Sequence, residues 1–145
     1  SVYNFSHFVF NFILKTMKIS AAGMRAQGHR LRVISENIAN AESLPQSPND
    51  TPYRRKVVTF ENELDRRIGL ETVRIGKVKP DNSDFGKQYD PAHPAADADG
   101  YVQTPNVKIL VEMMDMREAQ RSYEANISVI RASKAMLTQT IDVLR

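Results

Sequence analysis

The last third of the chain places an apolar residue at every seventh position. The series runs without interruption through Ile109, Met116, Tyr123, Ile130, Leu137 and Leu144. A helix that keeps a strict interval of seven presents a narrow apolar seam to a partner helix, as in a coiled coil. Beside the seam lie small or polar residues, which allow helices to approach closely: Ala119, Asn126, Ser133 and Thr140. The pattern predicts one long C-terminal helix that packs against other helices; periodicity alone fits equally well an amphipathic helix that closes the core of a small monomer.

A shorter repeat near the N-terminus predicts a second helix. Its apolar positions are Met17, Met24, Leu31 and Ile38, with Ile34 on the neighbouring line, and no proline occurs between Met17 and Leu44. A helix over residues 17–41 fits this pattern. Gly23 and Gly28 each weaken it by about 1 kcal/mol relative to alanine, so we expect it to depend on packing against another element.

The segment between the two predicted helices has a different composition. All seven prolines lie between Leu44 and Pro105, whereas the flanking helices contain none. Four stretches in this segment have the β-branched and aromatic residues typical of strands: 53–60, 70–78, 86–89 and 101–104. We therefore expect a small β-rich insert.

Together these patterns predict an α+β fold. The terminal helices form a coiled-coil-like core, and the β insert lies between them in the chain. The expected divisions are an extension over residues 1–9, an N-terminal helix within 10–43, the β insert over 44–105 and a C-terminal helix within 106–145.

The first sixteen residues are unusually aromatic. Asn4, His7 and Asn11 interrupt the stretch and no basic residue precedes it, so it does not match a cleaved secretory signal. It is also too short and too polar to span a bilayer. We expect residues 1–9 to lie outside the fold.

Charge is unevenly distributed along the chain. Residues 1–79 contain 13 basic and 7 acidic side chains, whereas residues 80–145 contain 7 and 10. The run Arg54, Arg55 and Lys56, beside Tyr53, would suit nucleic acid. Carboxylates follow closely in the sequence, so a solvated face or one side of a protein interface is the preferred interpretation, and no nucleic-acid partner is expected.

The sequence shows no catalytic or metal-binding pattern. Cysteine is absent, and the three histidines, His7, His29 and His93, lack the spacing of a helical metal pair. Asp97 and Asp99 resemble part of a calcium loop, but the first and last ligand positions of such a loop fall on Ala95 and Asn106. We expect no enzyme activity, cofactor, metal or small-molecule substrate.

Two sets of motifs resemble a known family. The first set comprises Ile19-Ser20-Ala21-Ala22-Gly23-Met24, Ser35-Glu36-Asn37-Ile38-Ala39-Asn40-Ala41 and Pro52-Tyr53-Arg54-Arg55; it is similar to the N-terminal signature of bacterial flagellar rod and hook proteins. The second set resembles the proximal-rod branch of that superfamily and comprises Tyr89-Asp90-Pro91-Ala92-His93-Pro94, Gly100-Tyr101-Val102, Pro105-Asn106-Val107, Glu112-Met113-Met114-Asp115-Met116 and Arg121-Ser122-Tyr123-Glu124-Ala125-Asn126. The resemblance covers roughly residues 10–145.

The resemblance implies a structural subunit of the proximal rod, which polymerises in the periplasm and transmits torque from motor to hook. It further implies export by the flagellar type III apparatus without a cleaved signal. The implied partners are copies of itself, other rod proteins and the ring-junction protein at the base of the rod. Another rod paralogue, or a non-flagellar helical binding module, remains an alternative.

The candidate assembly residues lie on both predicted helices. Asn37 and Asn40 fall near the expected end of the first helix, where asparagine tolerates a left-handed backbone; they either terminate the helix or contact another subunit. Tyr123 and Asn126 could donate hydrogen bonds across a packed interface. The full set is Met24, Leu31, Ile34, Asn37, Ile38, Asn40, Ile109, Met116, Tyr123, Asn126, Ile130, Leu137 and Leu144.

Overall fold

The computed structural model of the protein describes all residues from Ser1 to Arg145. Two long helices flank four strands in chain order: α1 Val2–Ala39, β1 Lys56–Asp65, β2 Leu70–Pro80, β3 Gly86–Tyr89, β4 Tyr101–Thr104 and α2 Ile109–Leu144. The α+β class and the order of helix, β insert and helix are confirmed.

Helix α1 begins much earlier than the sequence pattern predicted. Its first residue is Val2, so residues 2–9 are helical and do not form an extension outside the fold. No proline or glycine precedes Gly23, and nothing in this stretch therefore breaks a helix. The buried line of α1 also continues towards the N-terminus, because Ile13 is 1% exposed and lies seven residues before the buried Ser20.

Helix α1 ends at Ala39 without the left-handed residue that was expected there. No residue other than glycine has a positive φ. The Asn40 side-chain amide donates to the carbonyl of Glu36 at 2.8 Å, and the backbone N–H of Ala41 donates to the carbonyl of Ile38 at 3.2 Å. A side-chain bond and a tightened last turn therefore satisfy the carbonyl groups of Glu36 and Ile38 at the end of the helix.

The strands form two separate two-stranded sheets. β1 pairs with β2, and Gly69, with φ of 69°, lies at the end of the turn that joins them. β3 pairs with β4 in antiparallel register from Gly86 opposite Thr104 to Tyr89 opposite Tyr101. The bounds of β3 and β4 match the predicted strands, whereas β1 begins and ends later than predicted.

The chain divides into two compact units, and both helices contribute to each. Unit 1 comprises residues 1–29, 60–76 and 118–145, and unit 2 comprises residues 30–59 and 77–117. The expected division separates the helices from the β insert by their order in the sequence. Each compact unit instead contains both helical and β segments.

In unit 1 the two helices lie side by side in opposite directions. A Cβ built on Gly23 would lie 2.7 Å from Nδ2 of Asn126, and one built on Gly28 would lie 3.7 Å from Cε2 of Tyr123. Ala119 and Ser133, from the line of small residues on α2, are 0% and 4% exposed. Helix α2 therefore finds a partner helix within its own chain, through small residues that allow close approach.

Candidate functional site

A cluster of polar side chains lies within unit 2, where α1 ends and α2 begins. We call it the polar cluster; its members are Asn37, Tyr53, Arg55, Lys56, Asp81, Glu112 and Asp115. Asn37 and Glu112 are 1% and 0% exposed. No buried side-chain nitrogen or oxygen in the chain lacks a hydrogen-bond partner, so the cluster is fully satisfied.

Asn37 joins α1 to the start of β1. Its side-chain oxygen accepts from the Tyr53 hydroxyl at 2.8 Å and from the backbone N–H of Lys56 at 2.9 Å. Its amide group donates to the carbonyl of Lys56 at 2.9 Å and to Oε2 of Glu112 at 3.3 Å. Because one buried amide makes four such contacts, Asn37 fixes the register of three chain segments in unit 2.

Arg55 binds the acidic residues of α2. Its Nε donates to Glu112, and its Nη2 lies 3.4 Å from Oδ2 of Asp115. Its Nη1 pairs with Oδ2 of Asp81 at 3.2 Å. A planar guanidinium spreads five N–H donors over three nitrogens and so serves carboxylates in three directions, whereas the three donors of a lysine share a single nitrogen.

Arg54 and Asn106 hold the loop after β2 against the segment that contains Arg55. The backbone N–H of Arg55 donates to Oδ1 of Asn106 at 2.7 Å, and the Asn106 amide donates to the carbonyl of Asp81 at 2.9 Å. The Arg54 guanidinium also donates to this carbonyl, at 2.7 Å, and lies 4.1 Å from the centre of the Phe85 ring. The side chains of Arg54 and Arg55 are thus both bound within the chain. This argues against the interpretation of the basic run 54–56 as a nucleic-acid site, and also against its interpretation as a solvated face.

Electrostatics reinforces the cluster. Burial pulls the pKa of Arg55 down, but its hydrogen bonds and charge interactions with Glu112 and Asp81 raise that pKa above its ordinary value. The pKa of Asp81 is lowered, first by hydrogen bonds from the backbone and side chain of Ser83 and then by Arg55. The pair therefore stays ionised at neutral pH.

The phenol of Tyr53 stays neutral for a related reason. Burial raises its pKa, and the nearby charge of Glu36 raises it further, with Lys56 acting in the opposite direction. A neutral hydroxyl is the form that can donate to Asn37.

The outer surfaces of the helices are rich in apolar side chains. At the start of α2, five of the first six residues are apolar and exposed: Ile109, Leu110, Val111, Met113 and Met114. Leu110 is 77% exposed and Met114 is 71% exposed, whereas Glu112, the one charged residue of this turn, is buried. Helix α2 thus turns a carboxylate inward and large apolar groups outward, the reverse of the usual arrangement in a soluble protein.

A second apolar surface lies in unit 1, at the N-terminal end of α1. Phe5, Phe8 and Phe12 are 70%, 68% and 59% exposed on successive turns. Beside them, α1 and α2 form a groove of about 280 Å³ whose lining includes Val2, Phe5, Val9, Met136, Val143 and Leu144. Contiguous apolar surfaces of this kind are typical of protein interfaces.

The candidate assembly residues fall into three groups. Ile34 and Asn37 are buried within the chain, whereas Ile109 and Leu144 are 38% and 56% exposed. The other members are half-buried: Met24, Leu31, Ile38, Asn40, Met116, Tyr123, Asn126, Ile130 and Leu137.

Sequence reasoning missed the polar cluster as a site. Arg55 appeared only in a basic run, and Asp81 and Glu112 were not singled out as individual residues. One signal was available, because Glu112 interrupts an otherwise apolar first turn of α2. A lone charge on an apolar turn is a candidate for a buried ion pair.

Neither a membrane-spanning helix nor a metal-binding group of side chains is found. Neither helix combines the length and apolar content needed to cross a bilayer. No group of three histidine, aspartate or glutamate side chains is placed to hold a metal ion.

Comparison with known proteins identifies the class. The profile of the family described as flagellar basal body rod FlgEFG protein C-terminal matches residues 98–143, which include all of α2 except its last residue. That family's description places the matched segment among the proteins of the flagellar basal-body rod.

Individual relatives narrow the class further. The flagellar basal-body rod protein FlgC of Agrobacterium fabrum is 52% identical over 88% of this chain and 92% of its own length. FlgC of Borreliella burgdorferi is 36% identical over 92% of this chain and 98% of its own length. FlgC of Salmonella typhimurium is 37% identical over 89% of this chain and 96% of its own length. The chain belongs to the FlgC family of flagellar basal-body rod proteins. It is a structural protein of the flagellar basal body, which answers the alternatives of another rod paralogue and a non-flagellar module.

Proposed function

We propose that the chain is a subunit of the proximal rod, which polymerises in the periplasm and transmits torque from motor to hook. Export runs through the flagellar type III apparatus. The partners are further copies of the chain, other rod proteins and the ring-junction protein at the rod's base.

One observation carries this proposal: the first turn of α2 buries Glu112 and exposes Leu110, Met113 and Met114. Exposed apolar side chains gain about 25 cal/mol for each Å² that a neighbour removes from water. A chain that turns its charged residue inward and its apolar residues outward is suited to a packed polymer, in which those apolar residues become buried.

The assembly interface comprises the exposed and half-buried members of the candidate set. Ile109 and Leu144 have free apolar surface, and Met116, Tyr123, Ile130 and Leu137 contribute the part of their side chains that the chain itself leaves uncovered. Ile34 and Asn37 are buried, and the bond from Asn37 to Glu112 supports this interface from inside by fixing α1 in unit 2.

The test is Met114→Asp in cells whose only copy of the gene carries the change. Met114 is 71% exposed, so the isolated chain should keep its fold, but a charge should prevent burial against a neighbour. We expect no swimming and no rod in purified basal bodies. Gln120→Asp, at an exposed polar position of the same helix, is the matched control and should swim.

Normal rods in the Met114→Asp strain would contradict the proposal for this surface. Far-UV circular dichroism of both purified variants establishes that the fold is unchanged.

A further inference from the structure

The N-terminal end of α1 exposes three phenylalanine side chains that the proposed assembly interface does not include. Phe5, Phe8 and Phe12 are 70%, 68% and 59% exposed. Because they are three and four residues apart, they lie on one side of the helix. Ile13 is 1% exposed, so a different side of α1 packs inside the chain. The three rings form an outward apolar surface, which we call the phenylalanine stripe.

The phenylalanine stripe continues across the groove between the two helices. Phe5 lines this groove, and so do Met136 and Val143 of α2. Met136 is 48% exposed and Val143 is 83% exposed. The apolar surface therefore extends over the ends of both helices in unit 1.

Two lysines follow the phenylalanine stripe on α1. Lys15 lies three residues after Phe12, and Lys18 lies three residues after Lys15, so they occupy the next turns of the helix. Both side chains are exposed, and neither forms an ion pair in the chain. A lysine can lay its stem along an apolar surface and hold its ammonium group at the edge of that surface. These two ammonium groups are therefore available to an anion outside the chain.

The charge at this end of unit 1 is positive. Residues 1–18 contain no acidic residue, and residues 131–145, which include the α2 side of the groove, contain three basic residues and one acidic residue, Asp142. The two helix ends thus carry five basic residues and one acidic residue. The hairpin segment of unit 1, residues 60–76, has three basic and four acidic residues. Even when the whole segment is counted, eight basic residues stand against five acidic ones, so the excess of positive charge is not cancelled.

An anionic lipid bilayer has the chemistry that complements this surface. A helix with aromatic residues on one side and lysines beside them lies in the plane of a bilayer interface, with the rings at the boundary of the acyl chains. Neither helix combines the length and apolar content needed to cross a bilayer, so the contact is at its surface. A second copy that met this surface with its own phenylalanine stripe would bring two positively charged ends together, which disfavours that pairing.

We propose that the phenylalanine stripe, with Lys15 and Lys18, binds the surface of a bilayer that contains anionic phospholipids. The rings of Phe8 and Phe12 enter the boundary between headgroups and acyl chains, and the two ammonium groups pair with lipid phosphates. None of these residues belongs to the candidate assembly set. The inference therefore goes beyond the proposed rod function and does not depend on it.

Flotation of the purified full chain with lipid vesicles tests the proposal. One set of vesicles contains about 30% phosphatidylglycerol in phosphatidylcholine, and the other contains phosphatidylcholine alone. We expect binding to the anionic vesicles that is at least about tenfold stronger than to the neutral ones and that weakens with added salt. Absence of binding to the anionic vesicles, or equal binding to both sets, would overturn the proposal.

A pair of lysine variants tests which basic residues are responsible. Lys15→Gln combined with Lys18→Gln should weaken binding to the anionic vesicles about 25-fold, since each basic residue at such a surface contributes about a fivefold factor. Lys79→Gln combined with Lys87→Gln removes the same charge from exposed positions of β2 and β3 and should leave binding nearly unchanged. An equal loss in the two double variants would contradict a specific role for this end of α1.

A phenylalanine variant tests the apolar part of the contact. Phe8→Asn should weaken vesicle binding about tenfold, whereas Phe60→Asn, on β1, should not. Far-UV circular dichroism checks that both variants keep the fold. If Phe8→Asn abolishes self-association in sedimentation and leaves vesicle binding intact, the phenylalanine stripe binds a second copy and the lipid proposal is wrong.

A fluorescent label provides a readout that does not depend on the strength of binding. The chain has no cysteine, so a polarity-sensitive dye attaches only to an introduced thiol, at Phe8→Cys or at the control Ser128→Cys, an exposed position of α2. With anionic vesicles, the emission of the dye at position 8 should move to shorter wavelength and that of the dye at position 128 should not. The same response at both positions would exclude the phenylalanine stripe as the lipid contact.

Discussion

The guanidinium of Arg55, just before β1, donates to the carboxylate of Glu112, which is completely buried in the first turn of α2. The two residues are 57 positions apart in the chain. Their pairing fixes which side of α2 faces inward in unit 2, and it thereby determines which apolar side chains are left for neighbouring molecules.

Arg55→Ala should destabilise the chain strongly. It leaves the Glu112 charge buried without its partner, which costs about 3 kcal/mol of unfolding free energy. Arg74→Ala is the control, because Arg74 and Glu61 form an exposed pair worth less than about 1 kcal/mol. Urea denaturation followed by circular dichroism measures both variants, and equal losses would contradict a structural role for the buried pair. The double change Arg55→Met with Glu112→Leu should recover most of the stability.

Gly23→Ala should destabilise the packing of α1 on α2, although alanine favours helices by about 1 kcal/mol. The new methyl group would lie 2.7 Å from Nδ2 of Asn126, which must then move. Gly28→Ala meets only an ordinary contact of 3.7 Å and should be neutral or stabilising. A double-mutant cycle with Asn126→Ala isolates the clash, and additive effects of the two changes would disprove it.

The polar cluster should weaken in acid. The folded-state pKa of Asp81 lies below its ordinary value of 3.8, so the unfolded chain binds a proton more readily. This contribution to stability is present above about pH 4 and is lost as the pH falls through the lower folded-state pKa. Asp81→Asn should show a smaller fall in stability over that range than the unchanged protein. Asp84→Asn serves as the control, since that carboxylate accepts no hydrogen bond in the chain; identical acid profiles for the two variants would exclude the effect.

Hydrogen exchange should be graded along α1 in the isolated chain. Val33, Ile34 and Asn37 are 6%, 5% and 1% exposed, so their amides should exchange slowest. No side chain from Ser1 to Phe12 is fully buried, so amides there should exchange fastest. Mass spectrometry of peptic fragments measures the gradient, and uniform protection along the helix would contradict it.

Local sequence signals were sufficient for much of the fold. The bounds of β3 and β4 follow from Gly86, Pro91, Gly100 and Pro105, which punctuate the chain on either side of each strand. The start of α1 was missed because Asn4, His7 and Asn11 interrupt the aromatic stretch, although Phe5, Phe8 and Phe12 have the spacing of successive helical turns. These three side chains are exposed and form no part of the chain's own core.

Local sequence patterns could not predict the polar cluster, for a different reason. Arg55, Asp81 and Glu112 come from three separate segments, and a single sequence contains no signal that pairs charges so far apart. The prediction that Asn37 lies at the helix end was nearly correct in position, but the structure gives its side chain an internal role.

The small residues between the helices affect how subunit association depends on temperature. Gly23, Ala119 and Ser133 remove little apolar area from water, so most of the large apolar side chains of α1 and α2 still face solvent before subunits meet. The water released when those surfaces close makes association entropically favoured near room temperature, and that gain weakens on cooling. Rods built from this chain should therefore be less stable in the cold and more stable in sulfate solutions.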